Sequence, residues 1–327
     1  MTTLSIVIVS WNVRDLLRRC LDSVLRSAQS SELPCQVVVI DSASSDGSQA
    51  MVSGVFPGVE LVACQTNVGF VKGNNLGVSQ SNGRYILLLN PDTEVLGDAL
   101  QQMVSYMEAH PGVGALGPSL LDPRGAIQSS RRRFPTVATA LVESTMLQPC
   151  FEKSSLVRRY YCLDRASTEE QEVDWVVGAC LLIRRETWTA VGSLDENIFM
   201  YSEEMDWCRR AKDKGWKVMY LPSARVVHHE AQSSNQVSGS RHLYFNSSKV
   251  YYFRKHHGPL VGESIRVFLL ATYVLQLGLE GAKWLVGHKR ALRSERIRAY
   301  VHVLRSGLRF HSEPGRLGSG EDLSCQC

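Results

Sequence analysis

Acidic side chains follow a strongly apolar segment of the chain. Residues Tyr85–Leu89 are apolar enough for a buried strand, and Asn90-Pro91 then gives a turn signal before Asp92. Open α/β sheets bind their ligands where parallel strands end. A carboxylate at that position can hold a divalent cation, and the cation can hold a diphosphate. A strand–turn–helix cap explains the same residues, so the spacing alone does not decide.

Polar residues also end two other predicted strands, where they could contact a nucleotide. Ser10 and Asn12 end the first strand, although either could be an ordinary helix cap. Asp41 ends the second strand, and a carboxylate there can accept a hydrogen bond from a nucleobase or a ribose hydroxyl. Asp46 follows in a turn and could equally cap the next helix.

Residues 67–77 combine glycines, asparagines and a lysine before and within a predicted helix. Glycines before a helix expose backbone N–H groups, and Lys72 could approach a phosphate. Asn67 and Asn74 are further candidates for contact with the nucleotide. The segment matches neither the dinucleotide-binding fingerprint nor the P-loop, which disfavours a dehydrogenase or an NTPase. A glycine-dependent turn is the alternative.

An acidic cluster opens a later predicted helix at Glu203, Glu204 and Asp206. The helix dipole favours acids at this end and accounts for part of the cluster. Glu204 could take a proton from an attacking hydroxyl if it faces the crevice. Arg209 could pair with Asp206 on one face of the helix.

A pair of histidines, His228 and His229, follows a short predicted strand. An imidazole at this position could complete a metal site with Asp92. A single histidine is more often structural, but two adjacent ones after a strand favour the metal interpretation slightly.

Strands and helices alternate over the first ~120 residues, which predicts a parallel sheet. Strands are predicted at Leu4–Val9, Gln36–Ile40, Val59–Ala63, Arg84–Leu89, Val113–Gly117, Val173–Val177, Cys180–Ile183, Val218–Leu221 and Ala224–His228. Helices are predicted at Asp15–Arg26, Gln49–Val55, Lys72–Gln80, Leu96–Ala109, Glu203–Lys214 and across residues 242–309. Residues 122–174 are less regular and are expected to form loops and short helices.

Composition limits the class of protein. The 327 residues suit one large α/β domain with an appended segment, or two domains, and 44% hydrophobic residues suffice for a core. A net charge of +4 does not favour a nucleic-acid partner. The nine cysteines include no C-x-x-C pair, so neither a disulfide framework nor a zinc site is expected. Residues 4–9 are too short for a signal sequence, so we expect a cytosolic protein.

Taken in order, these residues resemble the family 2 glycosyltransferases of the GT-A fold, particularly bacterial rhamnosyltransferase-like members. The resemblance covers residues 4–257. It rests on an ordered series of short motifs: Val9-Ser-Trp-Asn, Asp41-x-x-Ser-x-Asp-Gly-Ser, Asn67-x-Gly-Phe, Gly73-Asn-Asn-x-Gly, Leu88-Leu-Asn-Pro-Asp, Trp175-Val-Val-Gly-Ala, Tyr201-x-Glu-Glu-x-Asp-x-x-x-Arg and His228. No single motif would be sufficient.

The resemblance implies a role for each candidate. It implies nucleotide contacts for Ser10, Asn12, Asp41, Asp46, Asn67, Lys72 and Asn74. It implies a Mg²⁺ or Mn²⁺ site at Asn90, Asp92 and His228. It places the donor sugar and acceptor near Trp175, Gly178, Ala179 and Arg209.

For catalysis, the resemblance makes Glu204 the general base, with Glu203 as the alternative and Asp206 in the same cluster. Two positions depart from the family pattern. Asn90 replaces the first acid of the D-x-D motif, although an amide oxygen can still coordinate Mg²⁺ or Mn²⁺. Glu204 replaces the commoner aspartate, which moves its carboxylate by about one bond length.

The C-terminal segment 260–286 is long enough to span a bilayer, but charged residues interrupt it at Glu263, Arg266, Glu280 and Lys283. The longest uncharged stretch, residues 267–279, is too short to cross. We therefore expect an amphipathic helix in the membrane interface, with Trp284 at the headgroups. Packing on the catalytic domain or in a homodimer is the alternative.

The combined prediction is an α/β protein with a GT-A (Rossmann-like) mixed sheet flanked by helices. The catalytic domain would cover residues 1–257, with a nucleotide-binding half at about 1–120 and an acceptor half at about 121–257. An amphipathic helical segment would cover 258–311, and a disordered tail 312–327.

The predicted activity is inverting transfer of a sugar from a nucleotide-diphosphate donor to a glycan or lipid-linked glycan in cell-envelope polysaccharide synthesis. Rhamnose is suggested by the resemblance alone, and the site of action would be the inner face of the membrane. A sugar nucleotidyltransferase is the rival enzyme, but it would need a glycine-rich basic loop that residues 4–12 lack. A nucleotide- or carbohydrate-binding scaffold without catalysis is the other rival.

Overall fold

A computed structural model describes residues 2–143, 145–229 and 238–309. The tail predicted at 312–327 lies outside the described residues. Within them the chain forms eleven strands. These are β1 Leu4–Ser10, β2 Cys35–Asp41, β3 Glu60–Ala63, β4 Tyr85–Leu89, β5 Thr93–Val95, β6 Val113–Leu121, β7 Arg131–Arg132, β8 Gln171–Val173, β9 Trp175–Val176, β10 Cys180–Arg184 and β11 Lys217–His228.

The described residues also form twelve helices. These are α1 Arg14–Ser30, α2 Ser48–Val55, α3 Phe70–Ser79, α4 Ala99–Ala109, α5 Val137–Val142, α6 Gln148–Phe151, α7 Ser155–Tyr160, α8 Arg185–Val191, α9 Glu203–Asp213, α10 Ser238–His257, α11 Pro259–Leu285 and α12 Arg290–Ser306. The predicted helical region 242–309 is therefore three helices, interrupted at Gly258 and at residues 286–289.

The main sheet has the strand order β3-β2-β1-β4-β10-β6-β11-β5, with β8 paired to β11 outside this path. Strands β1 to β4 are parallel to their neighbours within this group, as the alternating pattern predicts. Strand β10 runs antiparallel between β4 and β6. This insertion makes the sheet mixed, and the expected mixed sheet flanked by helices is confirmed.

Two predicted strands differ in detail from the structure, and one short strand beside the cleft was not predicted. Strand β11 is continuous where two short strands were expected, with an irregular register opposite β6 between Leu221 and Arg225. The predicted strand 173–177 is divided because β8 pairs with β11 and β9 pairs with β7. Strand β5 was not predicted, yet it pairs antiparallel with the end of β11 and brings Thr93 opposite His228.

Alternation along β1 sends side chains into cores on both faces of the sheet. Ile6 and Ile8 join one core with Leu17 and Leu21 of α1. Val7 points to the other core, which includes Trp207 and the C-terminal helices. Fully burying each such side chain contributes about 1.5–3 kcal/mol, so this alternation fixes which face each helix covers.

Glycines in α3 allow this helix to press closely on β1. A methyl group added to Gly73 would lie 2.8 Å from Val9 Cγ1, and one added to Gly77 would clash with Val7. The helix begins at Phe70, earlier than predicted, so these two glycines lie inside it. The missing side chains of Gly73 and Gly77 therefore allow α3 to pack closely on β1. Of the glycines in residues 67–77, Gly69 is the one that precedes the helix.

Candidate active site

The ends of β1, β2 and β4 meet at one cleft. Ser10, Ser42 and Asn90 stand at these three strand ends and line a cleft of about 390 Å³. That volume lies in the range of small-molecule sites, about 300–1,000 Å³. The cleft therefore lies where a parallel α/β sheet is expected to bind its ligand.

Asp92 and His228 face one another at one end of this cleft. His228 Nε2 lies 3.6 Å from Asp92 Oδ1, and both side chains are buried. The pairing of β5 with β11 creates this contact, and the His229 N–H also donates to the Asp92 carbonyl at 2.9 Å. Two residues separated by 136 positions in the sequence thus share one site.

Gln128 orients the imidazole of His228. Its side-chain amide donates to the His228 carbonyl at 2.9 Å, which directs its oxygen to His228 Nδ1 at 3.1 Å. In the neutral imidazole Nδ1 then carries the proton, and the lone pair of Nε2 points toward Asp92. Such an outer-shell partner is characteristic of metal-binding histidines.

A divalent cation fits the residues at this end of the cleft. Asp92 supplies a carboxylate and His228 an imidazole nitrogen. Asn90 Oδ1 is buried and has no hydrogen-bond partner among the described residues. The described chain has no group of three or more His, Cys, Asp or Glu side chains that could hold a metal ion. Substrate phosphates and water would therefore supply the remaining ligands, as Mg²⁺ sites commonly require.

The nucleotide candidates near β1 and β2 divide into residues at the cleft and residues behind it. Ser10 and Asn67 line the cleft, and Asn67 Oδ1 accepts from Ser42 Oγ at 3.0 Å. Asp41 is fully buried, with Oδ1 accepting from the Ser44 N–H and from Gln49. Asp41 Oδ2 and Ser10 Oγ have no partner within the described part of the chain.

Four other nucleotide candidates lie outside the cleft wall as the described residues form it. Asn12 Oδ1 accepts from the Ser45 N–H at 2.8 Å, and Asp46 Oδ2 accepts from the Arg14 N–H at 2.7 Å. These contacts are those of loop and cap residues. Asn74 is buried and donates to the Phe70 carbonyl inside α3, and Lys72 is exposed on that helix. Roles for these residues in nucleotide binding stay predictions.

Glu203 and Glu204 enter the cleft from the first turn of α9. The Gly178 N–H donates to Glu204 Oε1 at 3.2 Å, while Oε2 is buried with no partner in the described chain. Burial raises the pKa of Glu204, and burial with the adjacent Glu204 charge raises the pKa of Glu203 well above its usual range. A buried carboxylate with a raised pKa in a cleft is suited to general-base catalysis.

The loop before α9 and part of α10 supply cleft-lining residues that the sequence motifs did not indicate. Phe199 and Met200 line the cleft, as do Arg241 and Tyr244 of α10. The Phe199 ring occupies the space of a Cβ at Gly69, whose φ of +78° also favours glycine. The large apolar and aromatic residues 199–201, directly before the acidic helix, are the sequence feature that could have indicated this wall.

The turn leading into α9 is strained. Tyr201 and Ser202 adopt left-handed φ values of 67° and 68°. Each such non-glycine residue costs roughly 1–3 kcal/mol, and such strain clusters at functional sites. The turn directs Tyr201 into the cleft and starts α9 at Glu203.

Asp206 lies away from the cleft wall in a buried ion-pair network. Its carboxylate is fully buried and contacts Arg210 Nε at 2.9 Å, Lys255 Nζ at 2.8 Å and His256 Nε2 at 2.8 Å. Burial alone would raise the pKa of Asp206, but the bonds from His256 and Lys255 outweigh burial and lower it to about 2. The predicted pairing of Asp206 with Arg209 is wrong, because Arg210 makes that contact.

Arg209 and Trp175 also make contacts outside the cleft wall of the described residues. Arg209 pairs with Asp213 at 3.3 Å and lies over the Phe134 ring. Trp175 is buried, and its Nε1 donates to the Arg133 carbonyl at 3.1 Å. Gly178 and Ala179, by contrast, line the cleft. The Ala179 carbonyl accepts from the Asn90 N–H at 2.9 Å and ties this loop to the metal end.

The mixed sheet, with its cleft at the ends of the parallel strands, has the architecture of the GT-A fold. Residues 5–187, more than half of the chain, match the family model described as Glycosyl transferase family 2. The chain therefore belongs to glycosyltransferase family 2.

Curated relatives include several rhamnosyltransferases. The N-acetylglucosaminyl-diphospho-decaprenol L-rhamnosyltransferase of Mycobacterium tuberculosis is 29% identical over 261 residues, covering 76% of this chain and 83% of the relative. The rhamnosyltransferase WbbL of Escherichia coli is 27% identical over 169 residues, covering 49% of this chain and 61% of the relative.

Solved structures with the same fold contain a divalent cation. The Pyrobaculum calidifontis mannosyltransferase PcManGT, in complex with GDP-Man and Mn²⁺, superposes with a TM-score of 0.53 at 16% identity. The alignment covers 93% of this chain and 87% of that one. GalNAc-T7 with UDP, GalNAc and Mn²⁺ gives 0.55 at 17% identity, covering 78% and 48%.

Proposed function

We propose that this protein transfers a sugar from a nucleotide-diphosphate donor to a glycan or lipid-linked acceptor, with inversion at the anomeric carbon. The observation that carries the proposal is the convergence of Asp92, His228 and Glu204 on one cleft. A cation-binding end and a proton acceptor thus face the same small-molecule space. Inverting transfer requires these two functions on opposite sides of the reacting carbon.

Glu204 is the general base of this proposal. The Gly178 N–H holds one carboxylate oxygen, which leaves Oε2 to take the proton of the acceptor hydroxyl. The oxygen of that hydroxyl attacks the anomeric carbon, and the bond to the diphosphate breaks on the opposite face. Because desolvation by the surrounding protein raises the pKa of Glu204, it is a stronger base than a fully exposed glutamate.

Asn90, Asp92 and His228 are the residues that would hold Mg²⁺ or Mn²⁺. The bound cation would stabilise negative charge on the leaving diphosphate. The nucleoside would extend from there along the ends of β1 and β2, where Ser10 and Asn67 line the cleft. Asp41 lies directly behind this wall and would fix the Ser42–Ser44 segment that approaches the nucleoside.

Rhamnose is the sugar we propose, because several curated relatives are named as rhamnosyltransferases. The M. tuberculosis relative is named for a diphospho-decaprenol substrate. An acceptor linked through a diphosphate to a polyprenol, used in cell-envelope polysaccharide synthesis at the inner membrane face, follows by analogy. A nucleotidyltransferase is disfavoured by the family match, and a binding scaffold by the presence of Glu204 in the cleft.

Turnover of purified protein tests this function. The chain would be incubated with dTDP-, UDP- or GDP-sugars, Mn²⁺, and an N-acetylglucosaminyl-diphospho-polyprenol acceptor. We expect one donor to be consumed only with acceptor and cation, and NMR of the product to show inverted anomeric configuration. Donor binding without turnover would support a scaffold, and formation of a nucleotide sugar from a sugar phosphate would support a nucleotidyltransferase.

A further inference from the structure

One face of α11 is exposed and mostly apolar, with Ser264 as an exposed polar residue between Leu260 and Val267. The residues of this outer stripe are Leu260, Val267, Ala271, Val274, Gly278 and Leu285, all exposed and recurring at helical spacing. Leu260 is 83% exposed, Val274 60% and Leu285 72%. At 1.5 Å per residue the stripe runs for about 40 Å, far more than scattered surface residues would form.

The opposite face of α11 is apolar as well, and the protein covers it. Ile265, Leu269 and Tyr273 are buried in the second core, and the Tyr273 hydroxyl accepts from Asn246 of α10 at 2.9 Å. The helix has a mean hydropathy of 1.4 over its most apolar 18-residue window, yet only 22% of that window is buried. A core helix of this composition would be mostly buried, so its outer stripe lacks a cover in the described protein.

Charged residues do not interrupt the outer stripe. Glu280 turns inward, where Arg293 of α12 contacts it at 2.7 Å. Glu263, at the edge, is held by Arg266 at 2.9 Å. Within the described residues, α11 is the one helix long and apolar enough to cross a membrane by length and composition.

Basic groups lie at both ends of the stripe. Lys283 is exposed in the last turn of α11, where its Nζ lies 3.7 Å from Glu280. Lys289 and Arg290 are exposed just after the helix, next to Val286, which is 80% exposed. Arg254 is exposed beside Gly262 at the other end. A second copy packed along the stripe would bring two positively charged ends together in either helix direction, because the exposed acid at the first end, Glu263, is already paired with Arg266. An anionic lipid surface would neutralise both ends.

We propose that the outer stripe and the basic turn Lys283–Arg290 form a docking surface for an anionic lipid bilayer. Helix α11 lies in the interface with its covered face toward the protein. The uncharged part, residues 267–279, measures about 20 Å against a hydrocarbon core of about 30 Å, which disfavours spanning. This surface is separate from the cleft. Bilayer docking can therefore be disproved without affecting the proposed sugar transfer, and the reverse also holds.

Vesicle flotation of the full chain tests the surface. We expect binding to vesicles of equimolar phosphatidylcholine and phosphatidylglycerol, weaker binding at high salt, and little binding to phosphatidylcholine alone. The double variant Val267→Asp/Val274→Asp should lower the partition constant by about tenfold or more. The matched control Val55→Asp/Leu163→Asp changes residues that are 47% and 48% exposed elsewhere and should bind like the wild type.

Two further measurements test the docking surface even if the aspartate variant folds poorly. Brominated lipids should quench the fluorescence of wild-type Trp284, whose Nε1 donates to Ser294 at the turn, and Trp284→Phe should remove most of the quenching. Light scattering would detect a dimer. Absent flotation of the wild type overturns the proposal, as does a dimer that the aspartate pair dissociates while vesicle binding persists.

Discussion

The Gly178 backbone N–H donates a hydrogen bond to Glu204 Oε1 at 3.2 Å. This bond joins the loop after β9 to the first turn of α9. A Cβ on residue 178 would lie 3.4 Å from the Glu204 carboxyl carbon, so the backbone passes close beside the carboxylate. One oxygen of Glu204 is therefore fixed, and the other, Oε2, is the one that would take the proton in the proposed mechanism.

The first prediction separates the two adjacent glutamates. Replacing Glu204 with glutamine keeps its shape but removes its basicity, so kcat should fall by about 10²–10⁴-fold. Donor affinity should stay near the wild-type value, as measured by calorimetry with the nucleotide sugar. Glu203→Gln is the matched variant and should retain turnover. If Glu203→Gln loses turnover and Glu204→Gln retains it, the roles are exchanged.

The second prediction concerns the stability of the fold at different pH values. Burial raises the pKa of Glu203 well above its usual value of 4.5, so the folded state favours the protonated carboxyl. The folded state binds more protons than the unfolded chain, and this group's stabilisation is lost as pH rises through the folded pKa. The free energy of unfolding of Glu203→Gln should therefore rise relative to that of the wild type as pH increases from 5 toward 8. The reference for this change is the difference between the two proteins near pH 4.5.

Thermal unfolding at several pH values measures this difference. Glu186→Gln, an exposed acid in the first turn of α8, is a suitable control and should show no such trend. A constant difference between Glu203→Gln and the wild type across the pH range would contradict the argument.

The strand ends that line the cleft could be predicted because each signal lies within a few consecutive residues. β1, β2 and β4 are short apolar runs, and each is followed by a polar residue that lies in or behind the cleft wall. Strand β5 could not be predicted, because three residues are too few to show the alternation of apolar and polar side chains typical of a strand. Its pairing with β11 nevertheless places Asp92 beside His228.

The choice between Arg209 and Arg210 shows what spacing cannot decide. Both lie within one turn of Asp206, so either could pair with it on an isolated helix. Arg210 is selected because its guanidinium also donates to the carbonyls of Val191 and Ser193. Arg209 instead covers the Phe134 ring. These partners come from distant segments, which helical periodicity does not reveal.

The third prediction concerns the cation. Asp92→Asn removes the one carboxylate at this end of the described cleft, and the apparent Kd for Mn²⁺ should rise by about tenfold or more. Electron paramagnetic resonance of free Mn²⁺, with a nucleoside diphosphate present, measures this without relying on turnover. Glu94→Gln is the control, because Glu94 contacts His229 at 2.7 Å outside the cleft wall of the described residues. Equal Mn²⁺ binding by wild type and Asp92→Asn would remove Asp92 from the site.

The fourth prediction assigns Asp206 to stability. Asp206→Asn leaves Arg210, Lys255 and His256 without their shared buried carboxylate, and should lower the free energy of unfolding by roughly 3 kcal/mol. Because the folded pKa is lowered to about 2 from 3.8, this stabilisation is present above 3.8 and is lost as pH falls toward 2. Urea unfolding should thus show a deficit at neutral pH that narrows in acid, while Asp213→Asn, which is 57% exposed, changes little. A folded Asp206→Asn protein of unchanged stability with abolished turnover would instead return Asp206 to the catalytic group.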